Sequence, residues 1–137
     1  MSAYLDASVL VALFTEDPFS QQAGDLLARQ PIVLVSDYAG AELSSTLARL
    51  TRTRELTVEN ARAACATFDI WLERSATKVE TAPADIALAQ TYLRRFDLTL
   101  RAPDALHIAI AARCRTPIAT FDSGMARCAE ILGVELV

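Results

Sequence analysis

Three aspartates and one glutamate stand close to points where the sequence predicts that helices begin. Asp6 and Asp122 each follow a short apolar segment typical of a strand and precede a predicted helix. Asp104 comes directly after Pro103 in the first turn of another predicted helix, and Glu42 lies in the first or second turn of a fourth. Carboxylates at such positions can cap helices, and clustered carboxylates can bind a divalent cation. The elements that position the four acids bear on the choice between these roles.

The elements that must position these acids alternate between strand and helix along the chain. Proline residues and polar turns separate apolar runs from amphipathic segments, a pattern that favours a parallel sheet covered by helices. No linker or internal repeat divides the chain, so we expect one α/β domain over residues 1–137. The predicted strands are 3–5, 32–35, 78–81, 117–121 and 134–137. The predicted helices are one between Asp6 and the break at Asp17-Pro18, then 19–29, 36–52, 57–75, 83–96, 101–112 and 123–132.

The segment 101–112 is the most apolar of the predicted helices. Proline suits the first turn of a helix, and an acid there is favoured by the helix dipole. After Asp104 almost every residue is apolar, and a helix that is apolar on all sides is buried. We therefore expect this helix to carry Asp104 and His107 into the core.

If the sheet is parallel, the four acids meet at one edge of it, where α/β proteins bind their ligands. Each acid taken singly could be a helix cap worth about 1 kcal/mol or a solvated charge. Two carboxylates about 5 Å apart repel by roughly 3 kcal/mol at an effective dielectric constant near 20, so a cluster needs protons, arginines or a metal. Oxygen-rich clusters suit Mg²⁺ or Mn²⁺, which activate water for attack at phosphorus.

Three further polar residues fall near these acids. Ser8 and Thr120 place small hydroxyls at the same predicted edge, where they could orient a metal ligand or simply be a first-turn hydroxyl and a strand residue. His107 lies one turn after Asp104. A lone histidine on an apolar helix is more often a hydrogen-bonded core residue than a catalytic group, and we favour that interpretation.

Composition and missing motifs exclude several classes of protein. The 137-residue chain is 53% hydrophobic and contains no nucleotide-binding glycine loop and no GxSxG motif. Its three cysteines form no CxxC pair, which argues against structural zinc. The longest apolar run, 9–14, is far shorter than a membrane span of about 20 residues, and the N-terminus lacks the pattern of a signal peptide. We expect a cytoplasmic protein.

The basic residues are unusual because Lys78 is the only lysine. Arginine forms forked contacts with phosphates, which hints at a phosphate-containing ligand. The net charge of −4 nevertheless predicts only modest non-specific attraction to nucleic acid. Candidates for contact with phosphates are Arg49, Arg52, Arg54, Arg94, Arg95 and Arg101.

Four segments together resemble the PIN domain, and specifically VapC-type toxin ribonucleases of VapBC toxin–antitoxin systems. They are YLDASVLVALF with Asp6, AELSSTLARL with Glu42, APDALHIAIA with Asp104, and ATFDSGMARCAEILGVELV with Asp122. The resemblance implies a three-layer α/β/α sandwich around a mainly parallel sheet of four to five short strands. It also implies a Mg²⁺- or Mn²⁺-dependent endoribonuclease, a homodimer and a VapB-like antitoxin.

The leading hypothesis is therefore an endoribonuclease toxin that cleaves a loop of a structured RNA, such as tRNA or rRNA. Asp6, Glu42, Asp104 and Asp122 would be its catalytic and metal-binding residues, and metal-activated water would leave a 5′-phosphate and a 3′-OH. Two alternatives are a catalytically silent protein-binding module and a structure-specific DNA nuclease. An antitoxin would cover apolar positions around the first two helices and the helix 58–72, with Phe14, Phe19 and Trp71 as candidates.

Overall fold

A computed structural model describes all residues, 1–137, and shows a parallel sheet of four short strands surrounded by seven helices. The sheet order is β3-β2-β1-β4, and every pairing is parallel. The strands are β1 (Ser2–Leu5), β2 (Ile32–Ser36), β3 (Thr77–Val79) and β4 (Ile118–Ala119). The helices are α1 (Ala7–Phe14), α2 (Ser20–Arg29), α3 (Asp37–Arg52), α4 (Val58–Ser75), α5 (Pro83–Leu93), α6 (Ala102–Arg113) and α7 (Ser123–Ile131).

Alternate residues of the strands face two different helical layers, because successive side chains of a strand point to opposite faces. Ala3 and Leu5 of β1 pack with α1, α2, α3 and α4, whereas Tyr4 packs with α6 and α7. Helix α5 packs on α6 through small side chains such as Ala89 and Ala105. The predicted three-layer α/β/α sandwich is confirmed.

Helix α6 is the most buried helix of the molecule, as its sequence predicts. All seven residues from Ala105 to Ala111 are buried. A salt bridge between Asp85 of α5 and Arg113, the last residue of α6, ties the two helices together, with Nε and Oδ1 2.6 Å apart. Helix α6 therefore carries Asp104 on a rigid support.

Three predicted elements differ most from the structure. The strand predicted over 117–121 is reduced to the two residues of β4, Ile118 and Ala119. Helix α5 ends at Leu93 rather than Phe96, because Tyr92 and Leu93 are its last side chains in contact with the core, and Phe96 is 90% exposed. The predicted strand 134–137 is reduced to one bridge between Leu136 and Ile118, since β4 has only two residues to pair with. No helix combines the length and hydropathy that crossing a membrane would require.

Candidate active site

The candidate site begins at Asp6, which follows β1 and caps α1. Its side chain is buried, and Oδ1 accepts hydrogen bonds from the Val9 N–H (3.1 Å) and the Ser8 hydroxyl (2.6 Å). Oδ2 accepts a hydrogen bond from the Thr120 hydroxyl at 2.6 Å. Burial raises the pKa of the Asp6 carboxyl, and these hydrogen bonds oppose that effect. The carboxylate is thus fixed in orientation without a cationic partner.

Ser8 and Thr120 join Asp6 to the loop that follows β4. The Ser8 hydroxyl accepts a hydrogen bond from the Phe121 N–H (2.9 Å), and the Thr120 hydroxyl accepts one from the Asp122 N–H (3.0 Å). Both predicted hydroxyls therefore contact Asp6 directly. Each also accepts a hydrogen bond from a backbone N–H in the loop after β4. This network sets the position of β4's exit relative to that of β1.

Asp104 lies close enough to Asp122 to be affected by its negative charge. Asp104 is partly buried in the first turn of α6, and burial, followed by the negative charge of Asp122, raises its pKa. The positive charge of Arg101 acts in the opposite direction. Asp122 caps α7 by accepting a hydrogen bond from the Met125 N–H at 3.0 Å. The structure thus confirms the predicted caps and also brings these two acids together.

Glu42 belongs to a hydrogen-bonded chain that the sequence did not reveal. Its carboxylate forms a hydrogen bond with Nε2 of His107, which is 2% exposed. Nδ1 of His107 bonds to the Tyr4 hydroxyl at 2.7 Å, and this hydroxyl also bonds to Ser36 Oγ at 2.8 Å. Ser36 caps α3, the helix that carries Glu42, by accepting a bond from the Ala39 N–H. These hydrogen bonds therefore link β1, α6 and α3.

The acids have the chemistry of a site for a hard divalent cation. Asp6, Asp104 and Asp122 take part in none of the molecule's ion pairs, and the side-chain donors available to a cation here are these carboxylates and the hydroxyls of Ser8 and Thr120. Such oxygen donors are the ligands that Mg²⁺ and Mn²⁺ prefer. No three histidine, cysteine or acidic side chains stand close enough together to hold an ion in this arrangement. The donor types fit a metal, whereas the present spacing is wider than a coordination shell.

The candidate arginines differ in their relation to the acids. Arg49 lines a cleft together with Ser8 and Asp122, and Arg101 is close enough to Asp104 to lower its pKa. Arg52, the last residue of α3, forms no ion pair with any of the four acids. Of the six candidates, Arg49 and Arg101 thus lie beside the site, whereas Arg95 forms an ion pair with Asp97.

The chain matches one protein-family model and has the same architecture as several solved structures. Residues 3–131 match the family model of the PIN domain. No curated protein matches the chain. Among solved structures, VapC20 of Mycobacterium tuberculosis, a sarcin-ricin loop cleaving toxin, superposes with a TM-score of 0.75 at 22% identity, with 98% of each chain covered. VapBC2 of Rickettsia felis, bound to a promoter DNA fragment, gives 0.71 at 15% identity over 100% of this chain and 98% of that one. VapBC-1 of nontypeable Haemophilus influenzae gives 0.68 at 13% identity over 100% and 97%.

Proposed function

This chain belongs to the PIN domain family, and we propose that it is a metal-dependent endoribonuclease and the toxin of a VapBC-type toxin–antitoxin pair. The observation that supports the proposal is the link from Asp6 through Thr120 to the backbone of Asp122, whose negative charge in turn adds to the effect of burial in raising the pKa of Asp104, while none of the three acids forms an ion pair. Similar architecture in toxins of this type, one of which cleaves the sarcin-ricin loop, supports a loop of structured RNA as the substrate.

In this proposal Asp6, Glu42, Asp104 and Asp122 hold Mg²⁺, or Mn²⁺, while Ser8 and Thr120 orient Asp6. A bound cation would activate water and stabilise charge on the scissile phosphate. The hydrogen bonds to Asp6 keep both of its oxygens fixed before the substrate arrives, which lowers the cost of ordering the site. The buried helix α6 likewise fixes the position of Asp104 before the substrate arrives. Arg49, Arg101 and Arg52 are the proposed contacts with RNA phosphates.

Substitution of single acids tests the proposal. We expect Asp6→Asn and Asp104→Asn to abolish Mg²⁺-dependent cleavage of total RNA, with Asp25→Asn on the exposed surface of α2 as the matched control. Sequencing RNA 5′ ends after brief induction of the wild type and of Asp104→Asn would identify the cleaved site. If either site variant still cleaves RNA with Mg²⁺, the assigned site is wrong.

Metal binding distinguishes the proposed metal-dependent enzyme from the alternative of a catalytically silent protein-binding module. If the carboxylates bind Mn²⁺, the melting temperature of the protein should rise by several degrees, because a ligand that binds only the folded state stabilises it. Isolated helix caps would show no shift. Melting curves with and without Mn²⁺, for the wild type and Asp6→Asn, give this result independently of any RNA.

We further propose that a segment of the antitoxin occupies a groove of mixed polar and apolar lining between α1, α3 and α4. The groove has a volume of about 810 Å³ and is lined by Leu13, Phe14, Leu50 and Leu56 among others. Two of the predicted partner residues are used by the fold, because Trp71 and Phe14 pack edge-to-face with centroids 5.3 Å apart. Co-purification with the product of an adjoining reading frame tests this assignment, and Leu56→Asp should prevent it. Light scattering of the purified chain tests the proposed homodimer.

A further inference from the structure

A second cavity lies beside the acids, and the function proposed so far assigns no ligand group to it. This cleft has a volume of about 350 Å³ and lies between α1, α3 and the loops before α2 and after β4. Ser8 and Asp122 form the wall that it shares with the candidate site, and Phe19, Phe121, Thr46 and Arg49 line the rest. It shares no residue with the groove assigned to the antitoxin.

The floor of the cleft contains two stacked aromatic rings. Phe19 and Phe121 are nearly parallel, with an angle of 7° between their planes and centroids 4.8 Å apart. Phe19 remains 40% exposed, so this stack does not bury its whole ring. Both residues are held at their backbones, because the Phe19 N–H donates to Asp17 and the Phe121 N–H donates to Ser8. The rings therefore form a fixed apolar platform next to the acids.

Arg49 supplies the only positive charge among the lining residues. It lies in the last turn of α3 and takes part in none of the molecule's ion pairs, so its guanidinium is available to a ligand. A guanidinium binds phosphate through forked hydrogen bonds. The carboxylates of Asp17 and Asp122 also border the cleft and would repel phosphate, which restricts a phosphate contact to the side of Arg49.

We propose that this cleft is a nucleotide subsite, in which an unpaired base of the RNA stacks on Phe19 and the adjoining phosphate binds Arg49. The inference rests on the proposed function and specifies its substrate as RNA that is single-stranded next to the cleaved bond. The net charge of −4 makes non-specific attraction to RNA weak, so affinity must come from short-range contacts. Stacking of a base on an aromatic ring is such a contact and is largely indifferent to sequence.

Binding of a fluorescein-labelled oligoadenylate decamer, followed by anisotropy in EDTA, tests the subsite without cleavage. Phe19→Leu keeps an apolar contact with Phe121 but removes the ring, and we expect about ten-fold weaker binding. Phe19→Tyr keeps the ring and should bind like the wild type. Phe96→Leu makes the same change at a phenylalanine outside the cleft and should have no effect. Circular dichroism melts show whether each variant is folded.

A decamer with abasic sugars shows whether the lost contact is with a base. We expect it to bind the wild type weakly and to show no further loss with Phe19→Leu. The inference is overturned if the wild type does not bind oligoadenylate, if Phe19→Leu binds it like the wild type, or if Phe96→Leu loses as much. It is also overturned if Phe19→Leu affects only co-purification of a protein partner.

The two proposals can fail separately. A wild-type chain that binds the decamer through Phe19 but cleaves no RNA with Mg²⁺ would contradict the ribonuclease function alone. A chain that cleaves RNA with the same KM in the wild type and in Phe19→Leu would contradict the subsite alone.

Discussion

Glu42 is oriented by a neighbour that is itself fully hydrogen-bonded. The imidazole of His107 bonds to Glu42 through Nε2 and to the buried Tyr4 hydroxyl through Nδ1. Groups that orient metal ligands in this way commonly change metal affinity 10- to 100-fold when they are removed, as a rough guide. The prediction of a buried, hydrogen-bonded histidine is confirmed, and its contact with a candidate ligand makes it a positioning residue for Glu42.

Two amide substitutions at position 107 separate positioning from packing. In His107→Gln the amide nitrogen can approach the place of Nε2 and donate to Glu42, whereas the shorter His107→Asn can reach only the place of Nδ1. We expect Mn²⁺ affinity, measured by calorimetry, to fall about ten-fold or more in His107→Asn and less in His107→Gln. Equal losses in both variants, or none, would contradict a positioning role.

The raised pKa values of Asp6 and Asp104 predict how metal binding responds to pH. Burial is the main cause in both, and each carboxyl therefore takes up a proton at a higher pH than an aspartate in the unfolded chain. Without metal, these groups contribute stability below the unfolded pKa of 3.8 that is lost as pH rises through the folded pKa. A cation needs both carboxylates ionised, so its affinity should fall as pH is lowered through the folded pKa.

We therefore expect the increase in melting temperature caused by Mn²⁺ to shrink as pH is lowered, before the pH reaches the pKa of an ordinary aspartate. Melting curves at several pH values, each with and without Mn²⁺, measure it. Asp6→Asn removes one of the two titrating groups and should leave a smaller metal effect at every pH. An increase that stays constant down to the pKa of an ordinary aspartate would contradict the prediction.

At the scale of elements, two helices begin at an acid that also faces the site. Asp6 caps α1 and Asp122 caps α7, each by accepting a bond from the backbone N–H three residues later. A cap needs only a side-chain oxygen, whereas a metal ligand of this kind needs the negative charge as well. The same residue can therefore stabilise a helix and serve the chemistry.

Two substitutions of Asp122 separate these roles. Asparagine caps a helix about as well as aspartate, so Asp122→Asn should keep the melting temperature of the metal-free protein, or raise it by removing repulsion with Asp104. Asp122→Ala should cost about 1 kcal/mol of the free energy of unfolding. Both variants should bind Mn²⁺ more weakly. Unchanged Mn²⁺ affinity in Asp122→Asn would leave Asp122 as a cap alone.

At the scale of the whole molecule, the net charge of −4 limits how RNA can be bound. Each phosphate neutralised on a single strand contributes about −0.7 to the slope of log affinity against log salt concentration. With the three proposed phosphate contacts, from Arg49, Arg52 and Arg101, we expect a slope of about −2 for oligoadenylate. Titrations at several salt concentrations measure it, and Arg49→Gln should make the slope shallower by about 0.7. A slope several times steeper would indicate a broad basic surface elsewhere.

The boundaries of most elements could be predicted because each depends on residues close together in the chain. The apolar runs at 3–5 and 32–35 form strands, as predicted. Ser36, Thr57 and Asp122 cap α3, α4 and α7 close to where those helices were predicted to begin. The prediction failed where tertiary contacts decided the outcome. The last strand had only a two-residue neighbour to pair with, and α5 ended where its contacts with the core ended.

The sequence by itself indicated that Asp6 and Asp122 lie at one edge of the sheet, because residues that come just after two parallel strands lie at the same edge. Only the tertiary structure decided which side chains touch one another at that edge. Tyr4 and His107 are 103 positions apart, and Phe19 and Phe121 are about as distant along the chain. No local pattern specifies such pairs, since they depend on how α3, α6 and the loops pack over the sheet. The orientation of Glu42 and the aromatic cleft beside the acids are therefore properties of the folded molecule.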